Sequence, residues 1–542
     1  MAFYQVQKET SEDINILDIV SEHDDVSDMI SNMSPSTSTK RLTKRLLQRK
    51  LSEKCLHTVH MTITYWQAVL LILADAIPAT FGLLFIFINQ TVNIIFIGHT
   101  STEPEDLAAI GLGTIYINAT GYILGMGFLG GVDTLCTRSY GAREYKIMSI
   151  YCNIATLVMN IFFLIVSIPC IIFSENFLLA IGQTATLSAL SCYFAKAMIP
   201  SLIFGMLYNI YLRYLQAQDI FFPGMVVTLI SAVLHPVWCW ILIVIFDYGL
   251  VGAAIALGFT QFINYILILI YMYLYKPNND EVHFFNSSTF NFFFIYEFAK
   301  YALPSAVLFA ADWIGFDILT IMASYLSEVD LAANICLFNF MTLIFMIPMG
   351  ISFATTTFVG NAIGGNNVEI AKKFATVACV LTGIVVGVLN SFVFIFRAYI
   401  PYFYTIDEDI ASLSTNLLEL YVIFGVADGI QMIFHGIIKG LGKQKYASWA
   451  ALIILYPFNI PFAYYLAFKF GYGIYGLWYS QISVVYLLTF TYVTIIAIIH
   501  WQDVADNVVR ELAKEKEQIN EHEENELVLV QEAKAALTNK KY

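Results

Sequence analysis

The sequence predicts an all-α integral membrane protein, with twelve transmembrane helices as two pseudo-symmetric six-helix bundles in a parallel repeat. Three observations predict it. Of 542 residues, 58% are hydrophobic and 13% charged, where a soluble domain runs nearer ~25% charged, and the mean hydropathy is +0.69. The charge gathers at the ends: residues 1–60 hold nine acids and eight bases, residues 501–542 ten and six, leaving 22 acids and 14 bases for the 440 residues between. At roughly 35 residues per span with its connection, that middle holds about a dozen spans. The third observation is a repeat at one fixed offset. This composition excludes a collagen, a disordered scaffold and a disulfide-stapled secreted domain.

In chain order, residues 1–60 start acidic and turn basic at Lys40, Arg41, Lys44, Arg45, Arg49, Lys50 and Lys54. No apolar stretch falls where a cleavable signal peptide would carry one, so the first membrane helix inserts the chain and the basic block stays cytoplasmic. Apolar runs between Gly, Pro and charge punctuation then give spans at 68–98, 107–132, 148–173, 189–214, 224–246, 251–275, 295–326, 331–358, 374–396, 412–438, 447–468 and 474–499. An even count returns the C-terminus to the cytoplasm. Loops expected inside carry Arg138, Arg143, Lys146, Arg213, Lys276, Lys372, Lys373, Lys439, Lys443 and Lys445, and those outside only Arg397 and Lys469, which is the positive-inside bias. The outer connections are acidic (Glu103, Glu105, Asp106, Glu175, Asp247, Glu328, Asp330, Asp407, Glu408, Asp409), either drawing cations or ending helices in solvent. The expected domains are a cytoplasmic tail 1–60, a first lobe 61–275, a cytoplasmic linker 276–294, a second lobe 295–500 and a cytoplasmic tail 501–542.

The eight cysteines show no paired spacing and seven lie in or beside apolar runs, so they read as packing residues. No metal or cofactor is expected. A net charge of −13 without a basic stripe argues against nucleic acid. No H-E-x-x-H, G-x-S-x-G or His/Cys cluster suggests an enzyme.

The repeat is found by matching the chain to itself. Asp106-Leu107-Ala108-Ala109 recurs as Asp330-Leu331-Ala332-Ala333. Gly127 and Gly141 recur as Gly350 and Gly364, and Arg213-x-Leu215-x-x-Gln218 as Lys439-x-Leu441-x-x-Gln444. Pro78 matches Pro304, Pro236 matches Pro461, and Tyr248-Gly249-Leu250-x-Gly252 matches Tyr472-Gly473-Ile474-x-Gly476. All these offsets lie between 223 and 226. Six helices per unit keep the same orientation, so a pseudo-two-fold axis runs along the membrane normal and the substrate site is expected between the halves, as in transporters built this way.

The stretch Gly125 to Ala142, with its D-T-L and Y-G-A elements, resembles the region joining helices two and three of the multidrug and toxic compound extrusion (MATE) family. Val359 to Gly365 resembles the end of helix eight, Ile437 to Lys445 the loop after helix ten, and the Gly98 region with Asp106 to Ala109 the exit of helix one. The resemblance runs in register from about residue 68 to 500 and is of the eukaryotic kind. It implies a secondary active antiporter that exports organic cations, xenobiotics or metabolites in exchange for protons, by alternating access. A sodium-coupled exporter, or a lipid or lipid-linked-sugar flippase of the same superfamily, is the alternative. Anionic headgroups would call for a cleft lined with Arg and Lys.

Three acids lie deep in apolar runs, all in the second repeat: Asp312, Asp317 and Asp428. An acid at a span's centre costs about 2.5–3.5 kcal/mol on insertion scales. A carboxyl group away from bulk water favours its neutral form. Ionised, it holds a cation; protonated, it does not, so each ligand lowers the other's affinity and the two exchange. Asp312 lies eight residues past Pro304, roughly 12 Å along a helix. Asp312 and Asp317 are five apart, about 140° around the helix, so both cannot face one cavity. Asp312 is taken as the proton and cation site and Asp317 as a supporting or helix-contact acid; hydrogen bonding between helices is the structural reading of all three. The resemblance places Asp312 and Asp317 where eukaryotic members have helix-seven glutamates, and Asp428 at the helix-ten glutamate.

The resemblance also marks departures. Asn339 stands where many eukaryotic members carry a helix-eight glutamate, Val92-Asn93-Ile94 where bacterial members have an aspartate, His235 where asparagine is usual, and Arg138 where glutamine is usual; Asn339 and His435 are also expected as substrate-cleft residues. Asn89, Gln90 and Asn93 form a polar stripe that lines the cleft or bonds between helices. Trp313 and Tyr116 are expected as cation-stacking surfaces. His435, seven residues after Asp428 and so about 10 Å along the same face, relays protons or rests at the interface. Residues 502–530 read as a polar helix with Val504, Val508 and Leu512 in one stripe, expected as a solvated tail, with a membrane surface or partner as the alternative. Neither sequon, at Asn118 in a span or Asn286 in an inner loop, is expected to be glycosylated. The partners expected are a small organic cation, protons and the bilayer around a monomer, in a plasma or vesicle membrane with both termini cytoplasmic.

Overall fold

The structure is a computed structural model that describes residues 63–100, 104–180, 182–275, 287–405 and 407–539. The basic block Lys40 to Lys54, Cys55, Glu103, Lys276 and Asn286 lie outside the described residues, as do the side chains of Glu105, Asp106 and Leu107. Two compact units are distinguished, Met1–Ala74 and Asp75–Tyr542. The described part of the first is the opening of helix α1. The second carries every feature discussed below.

Eleven helices are long and apolar enough to cross a membrane, and a bent pair makes a twelfth. They are α1 Tyr65–Ile97, α2 Ala108–Gly141, α3 Tyr145–Ile172, α4 Ala185–Ala197 with Ile199–Gln216, α5 Phe222–Ile245 and α6 Gly249–Tyr275. The second six are α7 Phe292–Ser324, α8 Glu328–Gly364, α9 Val368–Phe396, α10 Glu408–Gly440, α11 Gln444–Lys469 and α12 Gly473–Ile498. The chain is thus an all-α membrane protein with the expected helix count. A final helix, α13, covers Trp501–Asn539.

Proline accompanies several of the irregular turns, though the expanded turn at Asn118–Tyr122 in α2 has none nearby. The 42° bend in α4 falls where Pro200 opens the second piece and supplies no N–H to the turn before it. One-residue expansions of the helical turn lie next to Pro169 in α3 (Phe163–Ser167) and around Pro457 in α11 (Ile454–Asn459). Polar residues at the other end start the helices. Ser327 accepts a hydrogen bond from Asp330 N, and Asp407 from Asp409 N and Ile410 N. Asp407 is thus itself a cap, and Glu328, Asp330, Glu408 and Asp409 in the first turns of α8 and α10 complement the helix dipoles.

Helix α9 shows how sequence assigns its faces. Val380, Ile384 and Val388, four residues apart, are 59–65% exposed, while Thr382, Val386 and Asn390 are buried. A stripe of exposed aliphatic side chains at this spacing is a lipid-facing surface. The seven described cysteines are free, and five of them buried.

Contacts between the bundles obey the repeat. A side chain on Gly127 would strike Ala306, and one on Gly350 would strike Thr80. One on Gly141 would strike Asn361, and one on Gly364 would strike Arg138. Each pair becomes the other when 223 or 226 is added or subtracted, as an isologous contact across a two-fold axis demands. Gly141 and Gly364 let α2 and α8 approach backbone to backbone near the axis, while Gly127 packs α2 on α7 and Gly350 packs α8 on α1. The contacts of Gly141 and Gly364 lie at the ends of α2 and α8 that bear the basic loops, where the two bundles close against each other.

Candidate functional site

Two cavities flank α7. The larger, about 360 Å³, lies between the bundles and is lined by Gln90, Asn118, Arg213, Trp313, Asp317 and Asn339 among Phe and Met side chains. The smaller, about 80 Å³, lies within the second bundle and is lined by Asp312, Asp428, Gln431, His435, Lys439 and Gln481. Phe309, Trp313, Phe338, Thr342, Phe345 and Met349 line both, so one thin wall of α7 and α8 side chains separates them. The 140° between Asp312 and Asp317 puts one carboxyl on each side of that wall. Asp317 therefore lines the cleft itself.

Pro304 prepares α7 for this. With the helix ladder interrupted there, side chains of α11 reach its backbone: Gln444 Nε2 donates to the Tyr301 carbonyl at 3.1 Å and Ser448 Oγ to the Pro304 carbonyl at 2.5 Å. Two turns on, Asp312 Oδ2 lies 3.7 Å from His435 Nδ1. The His435 ring packs 5.0 Å from that of Tyr492. His435 Nε2 and Gln431 Oε1 are buried with no partner in the protein, and both residues line the small cavity. A buried polar atom left without a partner is costly, so this cavity is built for a polar or charged occupant. His435 thus lies in the carboxylate cavity and does not line the cleft.

The other expected cleft residues divide. Gln90, Trp313 and Asn339 line the cleft. Asn89 and Asn93 do not: both are buried inside the first bundle, where Asn93 donates to the Ala253 carbonyl at 3.1 Å and accepts from Cys239 Sγ at 3.2 Å. His235 Nδ1 is 2.8 Å from Thr260 Oγ1 in the same core. This is the interhelical bonding that was the alternative for the polar stripe. Tyr116 is also elsewhere, donating to the Cys170 carbonyl at 2.9 Å and packing on Phe177. Among the described residues, no group of three or more His, Cys, Asp or Glu could hold a metal ion.

Sequence reasoning missed the charge cluster at the closed end. Asp133 is 3.7 Å from Arg213 of its own bundle and 3.8 Å from Lys439 of the other. Arg213 also lies over the Phe353 ring at 3.6 Å. Arg138 Nη2 donates to the Leu441 carbonyl at 2.7 Å and Nη1 to Tyr301 Oη at 3.1 Å. Arg138, Arg213 and Lys439 were expected in short inner loops or at the helix ends beside them; they are helical, and the two arginines are 4% and 6% exposed. The missed signal is length. With α2 ended at residue 132, Asp133 and Arg138 fall outside the helix, whereas α2 continues to Gly141.

Twelve helices in two like-oriented bundles, parted by a cleft that deep carboxyl groups approach, define a multi-pass membrane transporter. The MatE family model matches residues 78–241 and 304–465, one match in each repeat, and the chain belongs to that family. It is similar to multidrug and toxin extrusion protein 1 of Danio rerio, 27% identical over 445 residues covering 82% of this chain and 74% of the relative. It is also similar to protein DETOXIFICATION 9 of Arabidopsis thaliana, 26% identical over 439 residues covering 79% and 89%. In fold it matches the crystal structure of the eukaryotic MATE transporter AtDTX14, with a TM-score of 0.77 and 22% identity over 82% of this chain and 99% of that one.

Proposed function

We propose that the chain exchanges protons for organic cations and exports xenobiotics or metabolites, a first lobe (61–275) and a second (295–500) rocking about the cleft. Both termini lie in the cytoplasm, where the basic loops point. The relatives' names, multidrug and toxin extrusion, support the substrate class.

The observation that carries the coupling is Asp312 and Asp428 in one cavity, a thin wall away from Asp317 in the cleft. A proton on Asp312 and a cation at Asp317 then act on the same helix. When Asp312 is ionised, His435 Nδ1 and the cavity's polar groups pack toward it; when it is protonated, that attraction is lost and α7 repacks. Movement of α7 reshapes the cleft through Trp313 and Phe309, which it presents to both cavities. Each ligand weakens the other's hold, which is the thermodynamic requirement of antiport. Among the described residues, Arg213 is the one basic residue lining the cleft, and Asp133 lies beside it. That disfavours an anionic headgroup and so the flippase reading.

The test is Asp312→Asn in proteoliposomes. Exchange of a fluorescent organic cation driven by a pH gradient is expected to disappear while the protein still runs as a folded species. Undiminished exchange would overturn the assignment, and a sodium gradient imposed alone decides between the two coupling ions.

A further inference from the structure

Helix α13 does not hang free. Trp501, Val504, Ala505, Val508, Leu512, Glu515 and Ile519 are all buried, 0–8% exposed. They form one stripe at helical spacing, and from Trp501 to Ile519 it is roughly 27 Å long, enough to lie across the ends of both bundles.

Its polar contacts are divided between those bundles. On the first, Glu515 Oε1 accepts from Tyr151 Oη at 2.5 Å, and Lys516 Nζ lies 2.6 Å from Glu144. On the second, Gln502 donates to Asn366 at 3.4 Å. Glu511 joins the two. Its carboxylate accepts from Lys300 Nζ at 3.1 Å and Tyr301 Oη at 3.0 Å on the second bundle, and lies 3.7 Å from Arg138 of the first. Tyr301 Oη in turn accepts from Arg138 Nη1. If the bundles part at this end, Arg138 and Tyr151 move away from Lys300 and Tyr301, and one rigid helix cannot follow both sets.

We propose that α13 is an intramolecular clamp across the sealed end of the transporter: docked, it holds the two bundles closed there, and it must release one bundle before that face opens. Docking and closure therefore favour each other by the same free energy. The inference rests on the bundles parting at this face during transport, but not on the identity of substrate or ion.

The test is a distance. Spin labels at R143C and K445C, exposed positions on the two bundles, are measured by double electron–electron resonance in nanodiscs at pH 5.5 and 8, with the unsubstituted chain as background. In the full chain a short distance should dominate. Removing residues 501–542, or combining Glu511→Ala with Glu515→Ala in the full-length protein in case the truncation does not fold, should enlarge a longer-distance population several-fold. Lys516→Glu should act in the same direction, and adding Glu144→Lys should restore the short distance. A longer distance equally populated with and without the helix overturns the clamp and leaves alternating access standing. A single short distance in every variant at both pH values overturns both.

Discussion

Asp133 stands between Arg213 and Lys439, at 3.7 and 3.8 Å, and those two cations are equivalents under the repeat. The carboxylate has no such twin: the matching position holds Thr356, whose hydroxyl donates to the Gly436 carbonyl at 3.1 Å within its own bundle. One acid therefore serves a buried cation, Arg213, and a largely buried one, Lys439, and joins the halves. Removing a single partner from a buried ionic group costs about 3–5 kcal/mol, because it leaves uncompensated charge. Asp133→Asn is accordingly expected to lower the thermal unfolding midpoint markedly in detergent, and Asp133→Asn combined with Lys439→Met to recover much of the loss. A double variant no better than the single would rule out the ion pair as the cause. The deep aspartates were legible from the sequence because an acid in an apolar run stands out. Asp133 was not, because it lies just past the apolar run and the helix outlasts its hydrophobicity.

Among the helices, α7 was read from a proline, an aromatic run and two acids, and helical periodicity alone placed those acids on different faces. That each faces a different cavity depends on α8, α10 and the first bundle, hundreds of residues away in some cases. For α13 the stripe Val504, Val508, Leu512 was visible, yet a solvated tail was expected; the structure corrects this, since seven side chains of the helix are buried. A stripe shows that a helix has an apolar face but not what covers it. Glu515 adds a pH dependence. Burial, reinforced by Glu511 and Glu297 and opposed by the Tyr151 hydrogen bond and Arg138, pushes its carboxyl up to about 8 from an ordinary 4.5. A docked value above the undocked one means that docking is fully favoured below about 4.5 and loses this contribution as pH rises to about 8. Hydrogen exchange of residues 501–520, corrected for its intrinsic rate, should therefore accelerate between pH 6 and 8.5, and Glu515→Gln should flatten that rise. An unchanged rise in the variant would assign it to another group.

Across the whole molecule, the offset of 223–226 seen in the sequence reappears as physical contact. Gly141 meets Asn361 and Gly364 meets Arg138, two copies of one interaction about the axis. The same change at both places should then have the same consequence: Gly141→Ala and Gly364→Ala each force a methyl group against backbone, for which no rotamer gives relief. Both should shift the R143C/K445C distance toward the longer population. A large effect at one glycine and none at the other would show that the seal is not symmetric. Elsewhere the symmetry is broken, and function is proposed where it breaks: Asp312, Asp317 and Asp428 lie in the second bundle, while the corresponding region of the first is closed by hydrogen bonds among Asn93, Cys239, His235 and Thr260.

By itself the sequence determined that this chain spans the membrane about twelve times, that it is a tandem repeat of six helices, and that three aspartates lie deep in the second half. Each follows from a property carried along the chain: transfer free energy sets the spans, periodicity sets the faces, and duplication leaves a constant offset. Only the tertiary structure decided which face meets which cavity, that Arg138 and Arg213 are buried and Lys439 largely so where the bundles meet, and that the last helix lies across both bundles. Those outcomes depend on pairs such as Asp133 with Lys439 and Tyr151 with Glu515, more than 300 residues apart in the chain. No local pattern encodes such a pairing, because its energy exists only once the bundles have packed.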